Sequence, residues 1–227
     1  MLQMQLTALT SRALAAVRQM PSHARSYTIT QDWFSNHIPA WEGILARLRP
    51  RRVLEIGSYE GLSTTYIIEQ CSAFGPLQIH CVDTWEGAAD LPADAMHGVE
   101  ARFDQNVKTA INRAASAVSL HKVKRRSSLA LSDCIARGEP PFDLIYIDGS
   151  HTAADVLVDA VLAFQLLRVG GVMIFDDYLW SMEPALKVDP LNLPKPAVDA
   201  FTATFMRKVR VLPGLPNSQC YVEKIAE

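Results

Sequence analysis

Two short acidic stretches hold the residue types best able to do chemistry. Asp148 is followed three residues later by His151, and Asp176–Asp177 closes a second apolar run. If both runs are neighbouring strands, their terminal carboxylates meet at one mouth. Like charges this close are costly unless a cation neutralises them. Oxygen ligands from Asp148, Asp176 and Asp177 suit Mg²⁺ or another hard divalent ion. Such an ion could hold a substrate hydroxyl and lower its pKa. A plainer reading is also open: Asp176 caps a turn, Asp177 is solvated and Asp148 touches a ligand amine. His151 falls at a helix start, where its ordinary pKa suits a general base; there the alternative is a surface histidine.

A second chemical feature lies upstream. The run Val53-Leu54-Glu55-Ile56-Gly57 reads as a strand ending in glycine, with Gly61 and a helix behind it. A strand–turn–helix of this kind leaves backbone N–H groups exposed at a helix start, and glycine lets a ligand come close. A dinucleotide loop usually carries three glycines; here there are two, and Glu55 adds a carboxylate unsuited to a pyrophosphate. S-adenosylmethionine, with its sulfonium and amino group, fits that chemistry, while a nicotinamide cofactor is the rival. Asp83 ends the next strand, where a carboxylate can accept ribose hydroxyls. It could equally cap a turn.

These residues need a parallel sheet to bring them together. Short apolar runs alternate with amphipathic stretches of helix length, the pattern of an α/β sheet with helices on both faces. Strands are expected at 52–56, 78–82, 118–123, 142–147 and 172–175, and helices at 63–71, 97–115, 128–137 and 152–168. Gly170–Gly171 should end the last of these helices. Thr152 and Asp155 have capping-box spacing at its start. A proline-rich stretch, 178–196, reads as a functional loop. A helix over 196–207 and a hairpin of strands at 209–212 and 220–225 complete the chain.

Bulk properties narrow the function. The chain has 227 residues, 49% of them hydrophobic, enough for one full core. A net charge of −2 gives no general reason to bind nucleic acid or a membrane, and no apolar run is long enough to span a bilayer. Four cysteines without metal or redox spacing point to a reducing, cytoplasmic setting. Residues 1–31 read as an N-terminal helical extension and 32–227 as a single domain. The basic, acid-free start could alternatively be a transit segment. By analogy, its helix over 2–20 is the candidate element for a homo-oligomer.

At this point the residues resemble a family. The run from Val53 to Ser63, Val82-Asp83-Thr84-Trp85, Phe142 to His151, and Leu167 to Tyr178 resemble class I S-adenosylmethionine-dependent methyltransferases. Within that class they are similar to metal-dependent sugar and natural-product O-methyltransferases. The resemblance covers about 32–225. It implies a Rossmann-like fold with a mostly parallel seven-stranded sheet and an antiparallel C-terminal hairpin. It further implies that Gly57, Ser58, Tyr59, Gly61 and Ser63, with Glu55 near, line the methionine part of the cofactor. Asp83 and Thr84 would take the ribose region, and Trp85 and Ser127 the adenine. Asp148 would serve both cofactor and metal, with Asp176 and Asp177 as further ligands and His151 as base. One departure stands out: Lys124-Arg125-Arg126-Ser127 has no glycine before the serine. The acceptor implied is a small hydroxylated molecule, covered by the 178–196 loop and the aromatic segment Trp33–Phe34 to Trp41.

Overall fold

The computed structural model describes residues 23–87, 93–181 and 188–227. The expected helix over 2–20 lies outside them. Seven strands form one sheet in the order β3-β2-β1-β4-β5-β7-β6. β1 (Arg52–Ile56), β2 (Leu77–Asp83), β3 (Val118–Lys124), β4 (Phe142–Ile147) and β5 (Leu167–Phe175) pair in parallel. β7 (Cys220–Lys224) runs antiparallel to both β5 and β6 (Val209–Val211). The mostly parallel sheet with its antiparallel C-terminal hairpin is thus as the sequence indicates. Strand order reverses at β1, beside β2 on one edge and β4 on the other, and ligands of open α/β sheets collect at such a point.

Helices cover both faces. α1 (Ile38–Leu48), α2 (Leu62–Ser72) and α3 (Val99–Arg113) bury Trp41, Ile67 and Phe103 against Val53, Ile79, Leu144 and Tyr146. On the other face α4 (Ser127–Ala136), α5 (Ala153–Leu166) and α6 (Lys195–Thr204) bury Leu131, Ala160 and Phe201 against Leu54, Ile145, Ile147 and Phe175. Alternate residues of β4 serve opposite cores, as a doubly covered strand requires. All four cysteines are buried and free. Among the described residues, no helix is long and apolar enough to cross a membrane. Residues 23–31, assigned from sequence to the extension, pack onto the domain: Ala24 and Ile29 are buried, and Asn106 clasps the backbone of Thr28.

Two elements depart from expectation. α1 was not foreseen, because its run Ile38-Pro39-Ala40-Trp41 follows an aromatic segment with no capping residue. The α5–β5 boundary falls at Leu166–Leu167, ahead of Gly170–Gly171, which lie inside the strand. At Gly171 an added Cβ would stand 2.9 Å from the carbonyl oxygens of Arg168 and Asp143, so the glycine admits a strand irregularity there. The helix end is closed from elsewhere. Lys224, 2% exposed, donates from Nζ to the carbonyls of Leu167 (2.8 Å) and Phe164 (3.3 Å). A buried ammonium thus satisfies carbonyls that a left-handed glycine would otherwise serve.

Replacing Lys224 with Met removes the ammonium from the Leu167 carbonyl and leaves the Phe164 carbonyl with only the Leu167 N–H. The variant is expected to lose about 2 kcal/mol, seen as a Tm roughly 4–8 °C lower. An unchanged melting temperature would show that the helix end does not need this cap.

Candidate active site

The two chemical features meet at the carboxyl ends of β1, β2, β4 and β5. After β1 the chain turns at Gly57 with φ +81°, where a Cβ would lie 1.8 Å from the carbonyl oxygen of Asp148. The turn closes with Gly61 N–H on the Ser58 carbonyl at 2.7 Å. Gly61, also left-handed, then starts α2. The sequence accounts for these glycines by ligand approach. The structure adds that Gly57 is needed for the approach of the protein's own backbone.

Glu55 is fully buried beneath the turn. Its carboxylate accepts Ser58 Oγ and Ser63 Oγ, each at 2.7 Å, and the Thr64 hydroxyl. Burial pushes the Glu55 carboxyl up from its usual range, and the three hydroxyls oppose that shift. Asp83 holds the turn from β2. Its Oδ2 accepts the N–H groups of Ser58 (2.8 Å) and Tyr59 (2.9 Å), and its Oδ1 that of Trp85 (2.7 Å). The structure therefore places both acids within the loop's own scaffold. Thr84 Oγ1 accepts Glu86 N–H at 3.2 Å. Trp85 is 6% exposed; its indole donates to the Tyr59 carbonyl at 3.0 Å and packs on Phe103 at 4.9 Å.

The acidic mouth lies beside this loop. Ile147 of β4 pairs with Phe175 of β5, so Asp148 and Asp176 leave adjacent strand ends. Burial raises the Asp148 carboxyl well above its ordinary range, helped by the charges of Asp176 and Asp177. Burial, then the charge of Asp177, raises Asp176 as well, against the opposing Tyr146 hydroxyl and His37. Asp148, His151 and Asp177 offer ligand atoms within 4.8 Å of one another. His151 Nε2 lies 2.9 Å from Asp177 Oδ2. Asp176 points elsewhere: it takes the hydroxyl of Tyr146 on Oδ2 and the Asp177 N–H, at 2.8 Å, on Oδ1. Among the described residues four non-glycines have positive φ, and three of them (Tyr59, Trp85 and Asp177) stand around this site. Such backbone is seldom kept without a local reason.

Several residues here carry no sequence signal by themselves. His37, buried at the start of α1, places Nε2 3.7 Å from Asp176 Oδ1. The Glu60 carboxylate, 1% exposed, accepts the N–H (2.6 Å) and the hydroxyl (2.8 Å) of Thr30 and pairs with Arg102. The aromatic segment divides in role: Phe34 and Trp41 are buried, whereas Trp33 is 54% exposed and rests on Tyr59 at 5.0 Å. From the proline-rich loop, Trp180 approaches His151 at 4.4 Å. Ser127 starts α4 beside Asp159, a buried acid within α5 whose sequence position resembles any other polar helix residue.

Comparison with known proteins agrees with this geometry. A methyltransferase-domain family model matches residues 54–178, more than half of the chain. Solved structures share the fold. An O-methyltransferase from Bacillus cereus, bound to S-adenosylhomocysteine, is 17% identical with a TM-score of 0.58, over 94% of this chain and 91% of that one. TomG from Streptomyces achromogenes, solved with S-adenosylmethionine, is 19% identical with a TM-score of 0.60, over 94% and 90%. MycE of the mycinamycin pathway, with Mg and S-adenosylhomocysteine, is 21% identical with a TM-score of 0.56, over 92% and 56%. A Sinorhizobium fredii protein of uncharacterised function, y4gI, is 27% identical over 174 residues, 71% of this chain. The chain spans 18% of the length of that curated relative. The fold is that of class I S-adenosylmethionine-dependent methyltransferases, and the chain belongs to the methyltransferase-domain family.

Asp159 generates a pH prediction. Burial lifts its pKa from 3.8 to about 6, and its Oδ1 has no hydrogen-bond partner. Ionising it opposes folding, so its penalty is absent below about pH 4, grows as pH rises from about 4 to 6 and is constant above that. Asp159→Asn should therefore be more stable than wild type by about 2 kcal/mol at pH 7.5, with no gain at pH 4. Thermal melts at the two pH values decide this; an Asn variant less stable at pH 7.5 contradicts it.

Proposed function

We propose that this protein is an O-methyltransferase that moves the methyl group of S-adenosylmethionine to a hydroxyl of a small molecule, with a divalent cation at the acidic mouth. The observation that carries the reading is the convergence of Asp148, His151 and Asp177 within 4.8 Å, directly beside the Gly57 turn. A cation fits this donor set. Carboxylates raised by mutual repulsion and burial gain most from a positive charge; Asp148 and Asp177 would supply the hard oxygen ligands that Mg²⁺ or Mn²⁺ takes, with His151 beside the ion as the base. Asp176, assigned from sequence as a third ligand, would support the other carboxylates from behind. When bound, the cation would orient and acidify the acceptor hydroxyl.

The remaining chemistry belongs to the chain's own residues. Glu55 and Asp83 hold the turn so that Gly57, Ser58, Tyr59, Gly61 and Ser63 present their backbone to the cofactor. The ribose would reach Asp83 and Thr84, and the adenine would lie toward Trp85 and Ser127. His151, steadied by Asp177, would take the hydroxyl proton on its imidazole. Methyl transfer is an in-line displacement, so the alignment of donor and acceptor supplies much of the rate. Trp33 and Trp180 would flank the acceptor. TomG and MycE serve natural-product pathways by their names, which supports a hydroxylated natural product or sugar as the acceptor. Four free, buried thiols are consistent with a cytoplasmic setting.

A methyl-transfer screen over sugars, catechols and related hydroxylated metabolites, with and without Mg²⁺, identifies the acceptor class. On that acceptor His151→Ala should lower turnover by roughly 10²- to 10⁴-fold while S-adenosylhomocysteine affinity is kept. Full activity in the variant would remove His151 from the proton transfer. Asp148→Asn should abolish metal-stimulated turnover; a wild type equally active in excess chelator would defeat the metal reading.

A further inference from the structure

Tyr146 lies two residues before Asp148 on β4, on the sheet face that packs against α1 and α2. Its ring is fully buried, with Trp41 edge-on at 4.9 Å and Phe34 at 6.3 Å. These walls aim its hydroxyl at the acidic mouth. There it stands 3.0 Å from Asp148 Oδ2 and also closes on Asp176 Oδ2. A phenol has one hydrogen to give, and here two carboxylates reach for it. They sit at the ends of adjacent, paired strands, where mutual repulsion would turn the side chains apart.

We propose that Tyr146 is a positioning residue whose hydroxyl ties Asp148 to Asp176 and so sets the direction in which Asp148 presents its carboxylate to a divalent cation. Asp176 becomes the fixed side of this tie. Its Oδ1 is held by the Asp177 N–H at 2.8 Å, with Nε2 of His37, just ahead of α1, at 3.7 Å. Asp148 is thereby fixed through Tyr146 to a residue anchored by its own backbone turn and by His37. A small ion with strict octahedral demands is sensitive to such aim. The inference rests on the metal reading given above and assigns it a residue outside the ligand set.

Tyr146→Phe keeps the ring and removes only the tie. Mn²⁺ binding, followed by electron paramagnetic resonance in the presence of S-adenosylhomocysteine, should weaken by roughly tenfold or more. S-adenosylhomocysteine affinity, measured by calorimetry, should stay unchanged, which a general loss of structure would not allow. Wild-type Mn²⁺ affinity in a folded Tyr146→Phe overturns the positioning role and leaves the metal reading standing. If wild type itself fails to bind Mn²⁺, the metal reading falls and this inference with it. Should Tyr146→Phe not fold, Trp41→Phe serves instead, since it keeps the hydroxyl but loosens the wall that aims it. Weaker Mn²⁺ binding with intact cofactor binding supports the role, and unchanged Mn²⁺ binding overturns it.

Discussion

At Gly57 the backbone turns with φ +81° and passes so close to Asp148 that no side chain could stand between them. The contact is held from both sides: Asp148 N–H donates to the Ile56 carbonyl at 2.8 Å, and Gly57 N–H to Val82 at 2.9 Å. β1 is thereby locked between β2 and β4 at the level where strand order reverses. The loop after β1 and the acids after β4 become two walls of one crevice. Any residue but glycine at 57 would force these walls apart.

The crevice concentrates negative charge that folding alone does not favour. Glu55 is fully buried under the loop, and Asp148 and Asp176 sit side by side at strand ends. The fold handles the two sets differently. Glu55 is surrounded by Ser58, Ser63 and Thr64, whose hydroxyls offset part of its burial. The mouth has the Tyr146 hydroxyl, His37 and His151, which leaves Asp148 raised well above its ordinary range. A scaffold satisfied beneath the loop and strained at the mouth is the arrangement expected of a rigid donor site facing a reactive acceptor site.

Much of this was legible in the sequence because it follows chain-local rules. The apolar runs of β1, β4 and β5 end in Gly57, Asp148 and Asp176, and period and punctuation suffice to read them. Residues acting across the chain were not legible. Tyr146 looks like any large residue of a buried strand, and only its place beside Asp176 on the next strand shows its use. Lys224 reads as an end-of-strand lysine, yet it closes a helix about 60 residues away, which moved the α5–β5 boundary ahead of the two glycines. His37 and Glu60 needed the fold of the N-terminal segment over the crevice. The nearest available signal was the aromatic run Trp33–Phe34, which marks a covering segment but not the polar groups it carries.

The central claim is that the Gly57 turn, with Glu55 and Asp83 beneath it, is shaped for a methyl donor rather than a dinucleotide. Calorimetric titration of the purified protein with S-adenosylhomocysteine, and in parallel with NAD, tests it directly. The account predicts saturable one-to-one binding of S-adenosylhomocysteine and no heat of binding with NAD. Saturable NAD binding with none for S-adenosylhomocysteine would contradict it.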